Sequence, residues 1–227
     1  MDRHKIAFII CVNDDLYERE CVSYIERLNL PEGFVRDIIL VRGAGSITSG
    51  YNGAMQGSDA KYKVYLHQDV FIVYPDFITQ ILNIFENPAI GMIGMVGAPS
   101  LGETAVMWHG GRVGKLYANP ITLAEEAVCG EIEGKYQQVE VIDGFLMATQ
   151  YDVLWREDLF KKWDFYDVSQ SLEFRKRGYQ VVVPNMEHAW CIHDDGIMNL
   201  SNYYEEREIF LKEYRRKEEE EGKCIAN

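Results

Sequence analysis

The sequence has no C-x-x-C pair. Its five cysteines (Cys11, Cys21, Cys129, Cys191 and Cys224) are odd in number and far apart, which argues against a disulfide framework or a zinc knuckle, and reduced thiols are expected. Proline is scarce, 6 in 227 residues, and the 19 glycines follow no repeat, so collagen-like and low-complexity classes are excluded. Basic charge is short as well: 23 Lys and Arg stand against 36 Asp and Glu, a formal net charge of −13. Such a chain repels a polyphosphate, so nucleic acid is not an expected partner and any cationic or metal-bearing cleft has to be local. No uncharged run reaches the ~18 residues of a spanning helix. Met1-Asp2-Arg3-His4-Lys5 leads into a short apolar strand without an A-x-A pattern, so neither a signal peptide nor an integral membrane segment is expected, and a soluble, cytoplasmic protein is.

What the chain does have is material for a core: 47% apolar residues, among them 14 Tyr, 10 Phe and 4 Trp. That suits one domain over 1–227. Ile6 to Cys11 is a continuous apolar run, the pattern of a strand buried on both faces. Leu16, Cys21, Ile25 and Leu28 then recur at helical spacing, with Asp14 or Asp15 placed as a cap. Strands are predicted at Val35–Val41, Tyr62–Leu66, Ile90–Ala98, Val139–Thr149 (interrupted by Asp143-Gly144) and Tyr179–Val183. Helices are predicted from Gly45 to about Ser58, after Pro75, from Asp167 to Arg177 and from Asn202 into the charged 217–221 end. Residues 100–140 read as irregular or hairpin structure. Strands alternating with helices specify an α/β fold, a mostly parallel central sheet flanked by helices, whose ligands bind beyond the carboxyl ends of the strands. The loops after Cys11, Val41 and Leu66 are therefore expected to share a cleft.

An acid at the tip of a buried strand, as Asp69 is, costs desolvation unless a cation faces it. Mn²⁺ or Mg²⁺, held by few protein ligands together with substrate phosphates, matches so sparse a donor set; the alternative is that Asp69 merely caps the next turn. Among the tryptophans only Trp108, flanked by His109-Gly110-Gly111, stands out from ordinary core residues as a sugar-stacking candidate. At the C-terminal end, Tyr203, Phe210 and Tyr214 supply an apolar helix side, and Glu213 can pair with Arg216 or Lys217.

Four segments, in order, resemble GT-A-fold glycosyltransferases of the family 2 type, over about residues 5–196. Leu66-His67-Gln68-Asp69 through Pro75-Asp76-Phe77 is similar to the metal-binding D-x-D strand end, and Gly50-Tyr51-Asn52-Gly53-Ala54 to the small-residue helix. Val141-Ile142-Asp143-Gly144-Phe145 is similar to the glycine-containing strand, and Tyr166-Asp167-Val168-Ser169 through Gly178-Tyr179 follows E-D-V-D-L-x-L-R-x-R-x-x-G-Y without a gap. The resemblance implies a GT-A-type, Rossmann-like sandwich with a nucleotide-binding half (1–98), an acceptor-side half (99–200) and a C-terminal charged helix (201–221). It implies a metal-dependent, inverting, non-processive transfer from a nucleotide-diphospho-sugar donor to a carbohydrate or glycan-precursor acceptor. A homo-oligomer is left open.

The resemblance assigns Asp167 as general base, with Asp143 as the second candidate or an acceptor contact, and Asp69 and His193 as metal ligands. It assigns Asn13, Asp14, Arg42, Asn52, His67 and Gln68 to the donor. Each keeps a plainer reading: Asp167 as a helix N-cap, His193 as a hydrogen-bonded loop residue, Asn13 and Asp14 as turn formers. Departures are clear: His67, Tyr166 and Ser169 replace acids, Glu173 stands where Arg is common, and Arg42-Gly43 replaces a D-D-G-S stretch. These departures motivate an alternative, a catalytically inactive sugar-nucleotide or glycan-binding protein on the same fold. A nucleotidyltransferase ranks below both, because no Gly-rich phosphate loop with a basic residue is present.

Overall fold

The computed structural model describes residues 1–118, 125–194, 196 and 199–216. At its centre β1 (Asp2–Val12) has Ile6 to Ile10 wholly buried, because helices cover both faces of its sheet. Ile6, Phe8 and Ile10 belong to one cluster with α1 (Asp15–Glu26) and α3 (Phe77–Phe85). Ile9, alternating to the other face, joins α2 (Ile47–Gly57) and α4 (Tyr166–Lys176). The continuous apolar run of the sequence thus becomes two cores back to back.

The seven-stranded sheet has the order β2 (Val35–Arg42), β1, β3 (Ala60–His67), β11 (Leu146–Thr149), β5 (Ile90–Gly94), β12 (Gln180–Pro184), β9 (Tyr136–Val139). The β1–β2, β1–β3 and β5–β12 pairs are parallel, while β11 runs antiparallel between β3 and β5, and β9 antiparallel along β12. The expected mostly parallel α/β sheet is therefore present, with two reversed strands.

A second sheet continues from the carboxyl ends of β3 and β5, whose chains run on into its strands β4 (Val70–Ile72) and β6 (Val96–Ala98). It runs β10 (Val141–Ile142), β6, β7 (Val113–Ala118), β13 (Cys191–His193), β4, with β8 (Glu125–Val128) hairpinned on β7. This sheet corrects two sequence expectations. Ile90–Ala98 is not one strand: it breaks at Met95, and its second part leaves the main sheet to pair with β10 and β7. Val139–Thr149 is interrupted at Asp143-Gly144 as expected, but its pieces divide between the sheets: Val139 ends β9 and Leu146–Thr149 forms β11 in the main sheet, while β10 pairs in the second.

The last described helix, α5 (Tyr203–Phe210), continues into a wide π-type turn over Leu211–Arg216. Tyr203, Phe210 and Tyr214 are on its buried side, as the periodicity predicts. Glu213 accepts a hydrogen bond from Arg156 at 3.2 Å; the Arg216 side chain, Lys217 and the rest of the 217–221 end, on which the expected pairing falls, lie outside what the structure describes. Cys11, Cys21, Cys129 and Cys191 are free thiols. No described helix is long and apolar enough to cross a membrane.

Candidate active site

β3 ends on His67, and the chain turns through Gln68 and Asp69 directly into β4. Antiparallel pairing of β4 with β13 sets His193 opposite Val70, and the Asp194 N–H donates to the Asp69 carbonyl at 2.9 Å. Asp69 Oδ1 therefore lies 3.8 Å from His67 Nδ1 and 3.8 Å from His193 Nε2. The three side chains present donor atoms within 4.8 Å of one another. One carboxylate and two imidazoles at that spacing, brought together from two strand ends, fit a divalent cation; the imidazoles favour Mn²⁺ and later transition metals over Mg²⁺. The histidines are held in place: Phe145 stacks on the His193 ring at 4.9 Å between centroids, and His67 Nε2 shares a hydrogen bond with the Tyr166 hydroxyl.

Across the same cleft, of about 600 Å³, the Asp143-Gly144 turn meets the start of α4. The Gly144 N–H donates to Asp167 Oδ2 at 2.9 Å and the Val168 N–H to Oδ1 at 2.8 Å. Asp167 is thus not the N-cap, a position Phe165 occupies with φ 55°. A left-handed backbone at a bulky residue is strained, and here the Phe165 ring is clamped against Tyr203 and Phe210 of α5. Burial first, and the neighbouring Asp143 charge second, push the Asp167 carboxyl up to about 7. Asp143 is also raised by burial, an effect opposed by His193. A carboxylate that gains and loses its proton near neutrality is suited to acid–base work.

Gly144 is required at its place. A Cβ there would overlap the Tyr166 hydroxyl and stand 2.9 Å from Asp167 Cβ.

Of the residues picked out in the sequence, His67, Asp69, Trp108, Asp143, Asp167 and His193 all line this cleft. His67, expected to touch the donor, stands among the metal-ligand candidates. The remaining donor candidates do not line it. Asn52 is buried, its amide closed in a two-way bracket with the Trp155 backbone (2.9 and 3.0 Å), which braces α2. Gln68 spends its amide on the Asn13–Asp14 loop, accepting from both N–H groups. Asp14 caps α1 through Leu16 and Tyr17 N–H, and Arg42 turns to Glu18. The loops after β1 and β3 do meet, through Gln68, but the end of β2 is tied to α1 instead.

Sequence reading missed Arg112, Trp163, Tyr166 and Tyr203 as cleft residues. The sequence reading set Trp163 with the core tryptophans, but in the fold it is 48% exposed and Trp108 43%, whereas Trp155 and Trp190 are buried. Arg112 stood beside Trp108 in the Gly-rich segment, but nothing in its spacing showed that β7 would bring it to the cleft.

The sequence matches the model of a glycosyltransferase-like family over residues 7–214. No curated protein matches it in sequence. Among solved structures it is similar to mannosyltransferase PcManGT from Pyrobaculum calidifontis in complex with GDP-Man and Mn²⁺, with 13% identity and a TM-score of 0.55 over 84% of this chain and 57% of that one. It is similar to S. aureus TarS, with 9% identity and a TM-score of 0.59 over 92% of this chain and 39% of that one. For TarS 1–349 in complex with UDP-GlcNAc the figures are 8% and 0.57, over 92% and 66%. At these identities the likeness is one of fold, and this chain spans less than two thirds of each of those proteins.

Proposed function

The chain belongs to the glycosyltransferase-like family, and from that membership we propose that it moves one sugar per encounter from a nucleoside-diphosphate donor to a carbohydrate hydroxyl, with inversion. The observation that carries this reading is the shared cleft: the His67–Asp69–His193 group and the Asp143–Asp167 pair line one hollow. The two similar structures with bound nucleotide sugars, GDP-Man in one and UDP-GlcNAc in the other, support that class of donor.

His67, Asp69 and His193 would hold Mn²⁺. When bound, the cation supplies charge stabilisation to the departing diphosphate. Arg112, on the same cleft, adds a second positive charge for that group. Asp167 takes the acceptor proton. As the acceptor oxygen bonds to the anomeric carbon, the bond from that carbon to the diphosphate oxygen breaks, and its electron pair leaves with the nucleoside diphosphate. Asp143 adds to the effect of burial in raising the Asp167 proton affinity and borders the acceptor side. Trp108 and Trp163 offer rings for the acceptor sugar. In this proposal residues 1–98 form the donor half and 99–200 the acceptor half of a single domain, the cation bridging them, with the segment from 201 as a bracing helix.

The test is a titration of nucleoside-diphosphate sugars with and without Mn²⁺, followed by assay of released nucleoside diphosphate over a set of glycan acceptors. Mn²⁺-assisted binding with acceptor-dependent release is expected. Binding with no release on any acceptor would replace the enzyme by a sugar-nucleotide-binding protein, and no Mn²⁺ effect on binding would remove the cation from the site.

A further inference from the structure

His67 can ligate a cation through only one of its nitrogens, and the structure divides their tasks. Nδ1 faces Asp69 Oδ1 at 3.8 Å, while Nε2 is bonded to the Tyr166 hydroxyl. A neutral imidazole that offers Nδ1 to a metal must carry its proton on Nε2, where the Tyr166 oxygen accepts it. Tyr166 is itself immobile. It is 3% exposed, packs against Tyr51 and Trp155 at 6.1 Å between ring centroids, and its hydroxyl fits only because residue 144 has no side chain.

We infer that Tyr166 is a positioning residue: through the Tyr166–His67 hydrogen bond it sets the tautomer and ring plane of His67, so that the start of α4, which carries Asp167, also organises the cation site. The inference rests on the metal reading given above. Its logic is that of an orienting partner on the far nitrogen of a ligating histidine, whose removal typically weakens metal affinity about 10- to 100-fold. Tyr166 and His67 are also two of the positions at which this sequence departs from the acidic patterns it otherwise resembles, and in the folded chain they touch.

The experiment uses the full chain. Mn²⁺ uptake, followed by loss of the aqueous Mn²⁺ EPR signal, is expected to be about 10- to 100-fold weaker in Tyr166→Phe, with the far-UV circular dichroism spectrum and cooperative metal-free unfolding retained. In a His67→Asp background, where no ring remains to orient, Tyr166→Phe should change Mn²⁺ affinity less than about twofold. Equal affinity of wild type and Tyr166→Phe, or an equal loss in both backgrounds, overturns the inference. Long-range ¹H–¹⁵N spectra of the metal-free protein test it separately: the His67 proton belongs on Nε2 in the wild type and should distribute between both nitrogens in Tyr166→Phe. A proton on Nδ1 in the wild type overturns it too. Failure of the wild type to take up Mn²⁺, with the tautomer as expected, would instead strike at the metal reading.

Discussion

Asp167 does its proposed work only as the carboxylate, and its surroundings make that form costly. With the group raised to about 7 from the ordinary 3.8, kcat/KM should rise about tenfold per pH unit below 7 and level off above it. Stability should run the other way. The folded protein binds this proton more tightly than the unfolded chain, so its contribution falls as pH rises from about 4 to about 7. A melting series on ligand-free protein is expected to show that decline, and Asp167→Asn to flatten it. The same variant should nearly abolish transfer while still binding nucleotide sugar; full activity would remove Asp167 from the chemistry. Gly144→Ala is the steric counterpart. Its methyl meets Tyr166 and Asp167 together, so it should cost about 1–3 kcal/mol in denaturant unfolding, the range for overpacking, and reduce kcat more than it raises KM.

At the scale of elements, the site depends on α5, which contributes little to the chemistry itself. Phe210 is fully buried against Phe165, the strained residue that aims Tyr166 and Asp167 into the cleft. Glu206, 1% exposed, accepts the N–H groups of Lys162 and Asp164 and so fixes the loop leading to α4. Phe210→Ala is expected to destabilise by about 3–5 kcal/mol through the cavity it leaves, measured by urea unfolding. It should also lower activity beyond the unfolded fraction, because Phe165 loses the packing that offsets its strain. Activity per folded molecule equal to wild type would show that α5 is only a cover. Helix α5 was legible from Tyr203, Phe210 and Tyr214 at helical spacing; that its buried face would clamp Phe165 was not, because the contacts join residues far apart in the chain and leave no periodic mark.

The molecule as a whole gathers its site from two sheets. His67 and Asp69 come from the carboxyl end of the main sheet, and His193 from the sheet above it. A cation held between them as proposed would add a link present only in the folded chain, so saturating Mn²⁺ and donor should stabilise the fold by mass action, by about 2.7 kcal/mol at a hundredfold excess over Kd, and raise the melting point accordingly. Chelation with EDTA should return it to the ligand-free value; His193→Ala should lose the Mn²⁺-dependent part alone. Retention of the full shift in that variant would take His193 out of the ligand set.

By itself the sequence determined the α/β class, the order of the main helices and strands, and the candidates Asp69, Asp143, Asp167 and His193. Apolar runs, helical spacing and motif order are local properties, and they survive folding unchanged. Only the tertiary structure decided that Asn52 would brace Trp155, that Gln68 would be used up on the Asn13–Asp14 loop, and that Arg42 would turn to Glu18. It also decided that Ile90–Ala98 would divide between two sheets. Each of those outcomes follows from which distant partner satisfies a polar group or fills a space. Such partners are chosen by packing between segments remote in the chain, where neither spacing nor composition carries a signal.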